Sequence, residues 1–273
     1  MATNPYTNHA DAITQIDATI RNETAANTIS TDDVSDASVR TNAMLDAIVR
    51  TQADGSISYH APADRTVPGA WWAILQPLLT TTAAPGDTFT LPAVLFQPGA
   101  ADNTKIEITS QNVTIQGNGC TIKRGAATPA GSGVGMIEVE QTAGGFSCSG
   151  VTFDGDGIAI GGNAVGYEVY TRAASSFTNC HWTDPIIGAG ASLQHNPHQD
   201  TDDLLRLTNC TFTHSSYSTF IITHGRFVMI GGEINIPVDR KTTANEGDVP
   251  WQRLFMLSAG TGKRISSSLI SGV

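Results

Sequence analysis

Asn179-Cys180-His181-Trp182 and Asn209-Cys210-Thr211-Phe212 are one four-residue unit written twice, 30 residues apart. Three further copies surround them: Gly119-Cys120-Thr121-Ile122, Gly150-Val151-Thr152-Phe153 and, more faintly, Gly231-Gly232-Glu233-Ile234. The successive intervals are 31, 29, 30 and 22 residues. Each copy opens on Gly or Asn, the residues that tolerate left-handed backbone and so mark a bend. Small apolar, polar and large apolar residues follow, the alternation of a half-buried strand. Cys180 and Trp182 then face one way, and His181 and Thr183 the other.

One bend and a few short strands per fixed period indicate a solenoid, in which inward residues stack on their equivalents about 4.8 Å away in the next coil. The pattern therefore predicts a parallel β-helix with Cys120, Val151, Cys180 and Cys210 in one inward row. A period near 30 is a coil plus a loop excursion, and the 22-residue interval is the coil with least excursion. An antiparallel sandwich also has short strands, but it requires regular Asn-Gly or Asp-Gly hairpins. Asp54-Gly55, Asp154-Gly155 and Asp156-Gly157 occur without a symmetric two-strand pattern around them.

Working outward, Pro68 to Leu79 reads as a short helix. Trp71, Trp72, Ile74, Leu75, Leu78 and Leu79 make it apolar over most of its surface, so it must cover something. Residues 1–66 are polar and rich in Thr, Ala, Asp and Asn. They contain an internal echo, Ile16-Asp17-Ala18-Thr19-Ile20-Arg21 against Leu45-Asp46-Ala47-Ile48-Val49-Arg50. Ile13, Ile16 and Ile20, then Leu45, Ile48 and Val49, have helical spacing with a narrow apolar stripe. Thr31-Asp32-Asp33 is an N-cap pattern, and Asp54-Gly55 is expected to end the second helix. Such helices need a partner to be stable, either their own copies or another protein. The alternative is a tail without regular structure.

Composition narrows function. Among 273 residues, 15% are charged, 27 are Gly and the formal net charge is −10. That balance argues against nucleic acid, which requires clustered Lys and Arg. Residues 1–6 lack the basic and apolar regions of a signal peptide, and no apolar run reaches transmembrane length. Membrane insertion is therefore not expected, and release by cell lysis suits a chain folded in a cytoplasm. The four cysteines form no CxxC pair, so zinc is not suggested, and no cofactor fingerprint is present. Stacked coils would bring Cys180 and Cys210 within disulfide range, but a reducing cytoplasm favours packed thiols.

Ala84-Pro85-Gly86-Asp87-Thr88-Phe89-Thr90-Leu91-Pro92-Ala93, followed by Asn112-Val113-Thr114-Ile115-Gln116-Gly117-Asn118-Gly119-Cys120-Thr121-Ile122, resembles the opening coils of pectin-lyase-like right-handed parallel β-helix proteins. The resemblance covers residues 68–273. It implies that residues 68–79 plug the N-terminal end and that Asn179 and Asn209 form the family's asparagine ladder. That fold hosts lyases, hydrolases, epimerases and adhesins, so it does not name an activity. The domain order, a polar N-terminal segment (1–66) before a β-helix (67–273), is similar to bacteriophage tail fibres and tailspikes. This second resemblance implies a homotrimeric virion protein, held to a tail, baseplate or adaptor protein through residues 1–66. Its β-helix would be directed to host surface polysaccharide. Ser268-Leu269-Ile270-Ser271-Gly272-Val273 matches the start of another repeat, so the solenoid is expected to continue beyond Val273.

The chemistry-bearing candidates are few. Asp154 and Asp156 lie just past a strand and would suit glycoside hydrolysis as a pair, but a Gly/Asp turn needs the same residues for backbone reasons. Residues 194–203 form the densest polar cluster, holding His195, His198, Asp200, Asp202 and Asp203. It suits sugar or divalent-metal binding, or a solvated loop, and its spacing matches no metal signature. His224-Gly225-Arg226 and Asp202-Asp203 are faintly similar to polygalacturonase motifs. The rest of that pattern is missing, so the activity is not carried over. Trp251 is the exposed aromatic candidate for sugar stacking. The alternatives to a virion structural protein are a polysaccharide depolymerase on the same scaffold and a non-viral β-helix adhesin.

Overall fold

The computed structural model describes residues 47–67, 69–99, 102, 104–125, 136–155, 167–183, 191–198, 200–213, 218–222, 224–235 and 253–257. The chain winds as a parallel β-helix, each circuit laying down three strands. The first side holds β3 (Thr88–Thr90), the opening halves of β6 (Thr114–Lys123) and β8 (Phe146–Asp154), β10 (Ser175–Thr178), β13 (Leu204–Thr208) and β16 (Arg226–Ile230). The second holds β4 (Leu95–Phe96), the closing halves of β6 and β8, β11 (His181–Thr183), β14 (Thr211–Thr213) and β17 (Glu233–Asn235). The third holds β5 (Ile106–Ile108), β7 (Ile137–Val139), β9 (Tyr167–Thr171), β12 (Ala191–His195), β15 (Ser218–Ile222) and β18 (Arg253–Leu257). Pairing between successive coils is parallel throughout these three sides.

The bend between the first and second sides is the one the repeat unit announces. Asn118, Gly150, Asn179, Asn209 and Gly231 take up that corner, all with positive φ. At Gly231 the cost of a side chain is explicit. A Cβ there would lie 2.5 Å from Oδ1 of Asn209, which rests over the glycine from the coil below. The asparagine ladder is thus continued by a glycine that leaves room for it.

Register turns the repeat into a core. Phe96, Ile122, Phe153, Trp182, Phe212 and Ile234 are successive partners along the second side. Phe89, Ile115, Cys148, Phe177, Leu207 and Met229 are the equivalent row on the first. Cys120 pairs with Val151, and the flanking registers carry that row on through Cys180 and Cys210. All four cysteines are buried free thiols. Burial pushes the Cys120 thiol up to about 12, so these sulfurs act as small apolar groups. Leu205 pairs with Phe227, 22 residues on, which makes this the tightest circuit as expected.

The N-terminal end is capped by α1 (Ala70–Pro77), which runs into a π-helical turn at Leu78–Thr82. Trp71, Trp72, Leu75, Leu78 and Leu79 are buried, and Trp71 meets Phe96 edge-on at 5.9 Å. Trp72 Nε1 donates to Thr104 Oγ1 at 2.9 Å, so its polar edge is satisfied at the rim.

Two expectations fail before the cap. Ile48 and Val49 do not lie on a helix; they belong to β1 (Ile48–Thr51), which forms an antiparallel hairpin with β2 (Ile57–His60). Asp54-Gly55 does not end a helix; it turns that hairpin, with Gly55 at φ 86°. β1 also pairs antiparallel with β3, so the hairpin extends the first side of the solenoid. Ala47 and Ile48 are part of the common core. Arg50 fastens the hairpin further, its guanidinium 2.7 Å from the buried Asp87 carboxylate. Ile13, Ile16, Ile20 and Leu45 lie outside the described residues.

Candidate functional site

The three corners of the coil differ in what they can do. The first is the tight Asn/Gly bend. The second lies between β6 and β7 and between β8 and β9. The third, where the third side returns to the first, is an open groove. Gln141 lies beyond β7, Tyr170 and Arg172 at the end of β9, Asn196 and His198 beyond β12, and His224 before β16. One corner thus collects a polar residue from each successive coil.

Hydrogen bonds and stacking hold part of this groove rigid. The Arg172 guanidinium lies over the Tyr170 ring, 4.9 Å from its centroid, and 3.3 Å from the Glu140 carboxylate. Asn196 donates its side-chain amide to Tyr170 Oη at 3.0 Å. Burial works against the Arg172 charge, but Tyr170 and Glu140 outweigh it and raise its pKa. Among the described residues the side chains of Gln141 and His224 make no hydrogen bond, which leaves them available to a ligand.

His195 is not in the groove. On β12 it shares a face with Leu193, and both are fully buried. The expectation that it contacts glycan is therefore corrected: alternation along the strand turns it inward. Its Nε2 lies 3.2 Å from the Asp203 carbonyl, which only accepts, so Nε2 carries the proton. Nδ1 then accepts from Thr171 Oγ1 at 2.8 Å. Burial holds His195 down at about 4, against a smaller opposing pull from Asp203. His195 is a structural tie between β9, β12 and the corner segment. His198, by contrast, is exposed on the groove rim, 3.4 Å from Asp200.

The described carboxylate candidates each have a partner. Asp154 sits opposite Lys123 in the ladder, with 3.4 Å between their charged groups. Asp202 lies 3.0 Å from Arg226 Nε on the surface, and Asp203 accepts from Thr201 Oγ1 at 2.9 Å. Asp156 and Trp251 lie outside the described residues. A tighter acidic group, which sequence spacing did not suggest, is Glu107, Glu138 and Glu140, with carboxylate oxygens within 4.8 Å of one another. Lys105 reaches into it, 2.7 Å from Glu107 and 2.6 Å from Glu138. An ammonium therefore already takes the position where a cation would bind. Burial opposes the Lys105 charge, and the two carboxylates overcome that and raise its pKa.

Gln141, Tyr170 and Arg172 were not singled out by the sequence, whereas Asn196 falls within the polar cluster 194–203 and His224 within the His224-Gly225-Arg226 motif. Their common property is a corner position, which exists only once the register of β7, β9 and β12 is known. No family model, no curated protein and no solved structure matches this chain.

Proposed function

We propose that this chain is a structural protein of a phage tail, a tail fibre or tailspike, whose β-helix contacts host surface glycan during adsorption. The protein acts as a homotrimer, made in the host cytoplasm, released by lysis, and joined to a tail, baseplate or adaptor protein by its N-terminal segment. Because β1 and β2 belong to the solenoid, the attachment role falls to the residues before them. The observation that carries the glycan part is the third-corner groove. An open polar strip built by consecutive coils is lined by amide and imidazole groups, which suits an extended hydroxyl-rich chain. The polar, repetitive N-terminal sequence ahead of the solenoid supports the virion role.

The test is binding of the purified protein to candidate host bacteria, with the cells' extracted capsule or lipopolysaccharide as competitor. Saturable binding abolished by the extract is expected, with light scattering giving three chains per particle. Absence of binding to any host surface overturns the adsorption role. Release of oligosaccharide from the extract would instead establish the alternative, a depolymerase.

A further inference from the structure

We infer that the third-corner groove takes a neutral, hydroxyl-rich polysaccharide lying along the solenoid axis, and excludes acidic glycans. This rests on the reading of the groove as a glycan-contact site and specifies the class of glycan.

The argument is one of charge already spent. Arg172 is bound to Glu140 at 3.3 Å, and its planar face is laid on Tyr170. Arg226, just beyond His224, is held 3.0 Å from Asp202. Lys105, on the flank below, is shared between Glu107 and Glu138. Arg172, the one permanent cation lining the groove among the described residues, is thus already engaged by a carboxylate. Carboxylates also outnumber cations: Glu107, Glu138 and Glu140 stand on one flank and Asp200, Asp202 and Asp203 on the other, against Lys105, Arg172 and Arg226. An anionic ligand would meet uncompensated negative charge and lose its hydration without repayment.

What remains available is uncharged hydrogen bonding. Gln141 offers an amide and His224 an imidazole, while Asn196 and His198 lie on the second of the two coils between them. An amide both donates and accepts, which matches a sugar hydroxyl that does the same. These residues come from successive coils, so Gln141 and His224 are separated by three strand spacings, about 14 Å. That span fits several linked sugars rather than one. The Arg172–Tyr170 stack lies on a coil between them, held by Glu140 on one side and Asn196 on the other.

A microbial glycan array carrying neutral hexose polysaccharides beside uronate-, phosphate- and sulfate-bearing ones tests this with the full chain. The strongest binder is then titrated at about 0.01 M and about 1 M salt, where the screening length falls from roughly 30 Å to 3 Å. We expect a neutral binder whose affinity changes less than about twofold with salt. The doubly substituted Gln141→Ala/His224→Ala protein should bind it at least tenfold more weakly, with an unchanged circular dichroism spectrum and melting temperature. An acidic preferred ligand with affinity falling steeply in salt overturns the inference and leaves the glycan reading standing. A neutral ligand bound equally by the double variant overturns the groove as its site. No binding anywhere on the array removes the glycan reading itself, and this inference with it.

Discussion

Trp182 stacks on Phe212 of the next coil with ring centroids 4.4 Å apart and planes 11° from parallel. The separation is close to the spacing between strands, so the aromatic column follows the backbone ladder coil by coil. Phe153 continues it on the other side, 4.9 Å from Trp182. Among the described residues the indole N–H of Trp182 has no acceptor.

The column makes a stability prediction with two arms. Trp182→Ala removes the largest side chain of the row and leaves a cavity between Phe153 and Phe212, at a cost of about 3–5 kcal/mol. Trp182→Phe keeps the stack and deletes an unsatisfied donor, so its net cost is below about 1.5 kcal/mol. Urea unfolding followed by circular dichroism measures both. Equal losses for the two variants would show that stacking is not what this position contributes.

The thiols provide a probe of the inward row. Cys120, Cys148, Cys180 and Cys210 are all buried, and Cys180 Sγ lies 3.6 Å from the Cys148 carbonyl. Iodoacetamide should label none of them in the native protein at pH 8 and all four in concentrated urea, read by intact mass. Cys180→Asp, which buries a carboxylate without a partner, should cost several kcal/mol, on the order of 3–5. Cys180→Ala should cost about 1 kcal/mol. Labelling of native Cys180 would place it outside the core.

Much of this architecture was legible because its signals are local and repeated. Asn179 and Asn209 mark the same bend one coil apart, and Trp182 and Phe212 lie at the same offset from it. Trp71 and Trp72 betray a covering helix because no solvated helix carries both. Ile48 and Val49 were misread for a physical reason. A short apolar run has no period of its own, and pairing with Thr88–Thr90, far along the chain, decides that it is a strand. His195 was misjudged because polarity outweighed alternation: Leu193-Gln194-His195 alternates as a strand should, and one imidazole was free to point inward once Asp203 and Thr171 received it. The groove was legible only in part: His198 was a candidate, but Gln141, Tyr170 and Arg172 join its side of the molecule only through the register of the coils.

The hairpin correction carries its own consequence. Asp87 is 1% exposed, and it accepts both from Arg50 and from the Ala84 amide at 2.9 Å. Arg50→Ala leaves that carboxylate buried without its cation and should destabilise the protein by about 3 kcal/mol. The hairpin itself covers core, so deletion of residues 1–66 should lower the urea midpoint well below that of the parent. A truncated chain with the parent's midpoint would mean that β1 and β2 contribute nothing to the solenoid.

Two buried histidines set the last prediction, a loss of stability on mild acidification. Burial holds His60 at about 4, with the Arg50 charge adding to the effect, and burial holds His195 at about 4 as well. In the unfolded chain both return to the ordinary value near 6.5. Between these limits the unfolded state binds protons that the folded state refuses. Stability therefore rises with pH through this window and falls as pH drops from about 6.5 towards 4. Above the window both states are neutral at these sites and the contribution is constant. Below it the folded protein also takes up the protons and the loss levels off. Each histidine contributes at most about 3 kcal/mol across the window, and a local slope of at most about 1.4 kcal/mol per pH unit. Urea unfolding at half-unit steps from pH 4 to 8 measures that slope. His195→Asn keeps a polar side chain beside Thr171 and the Asp203 carbonyl but cannot titrate. It should lower stability at neutral pH while flattening the slope between pH 4 and 6.5. A variant as steep as the parent would place the acid sensitivity on other groups.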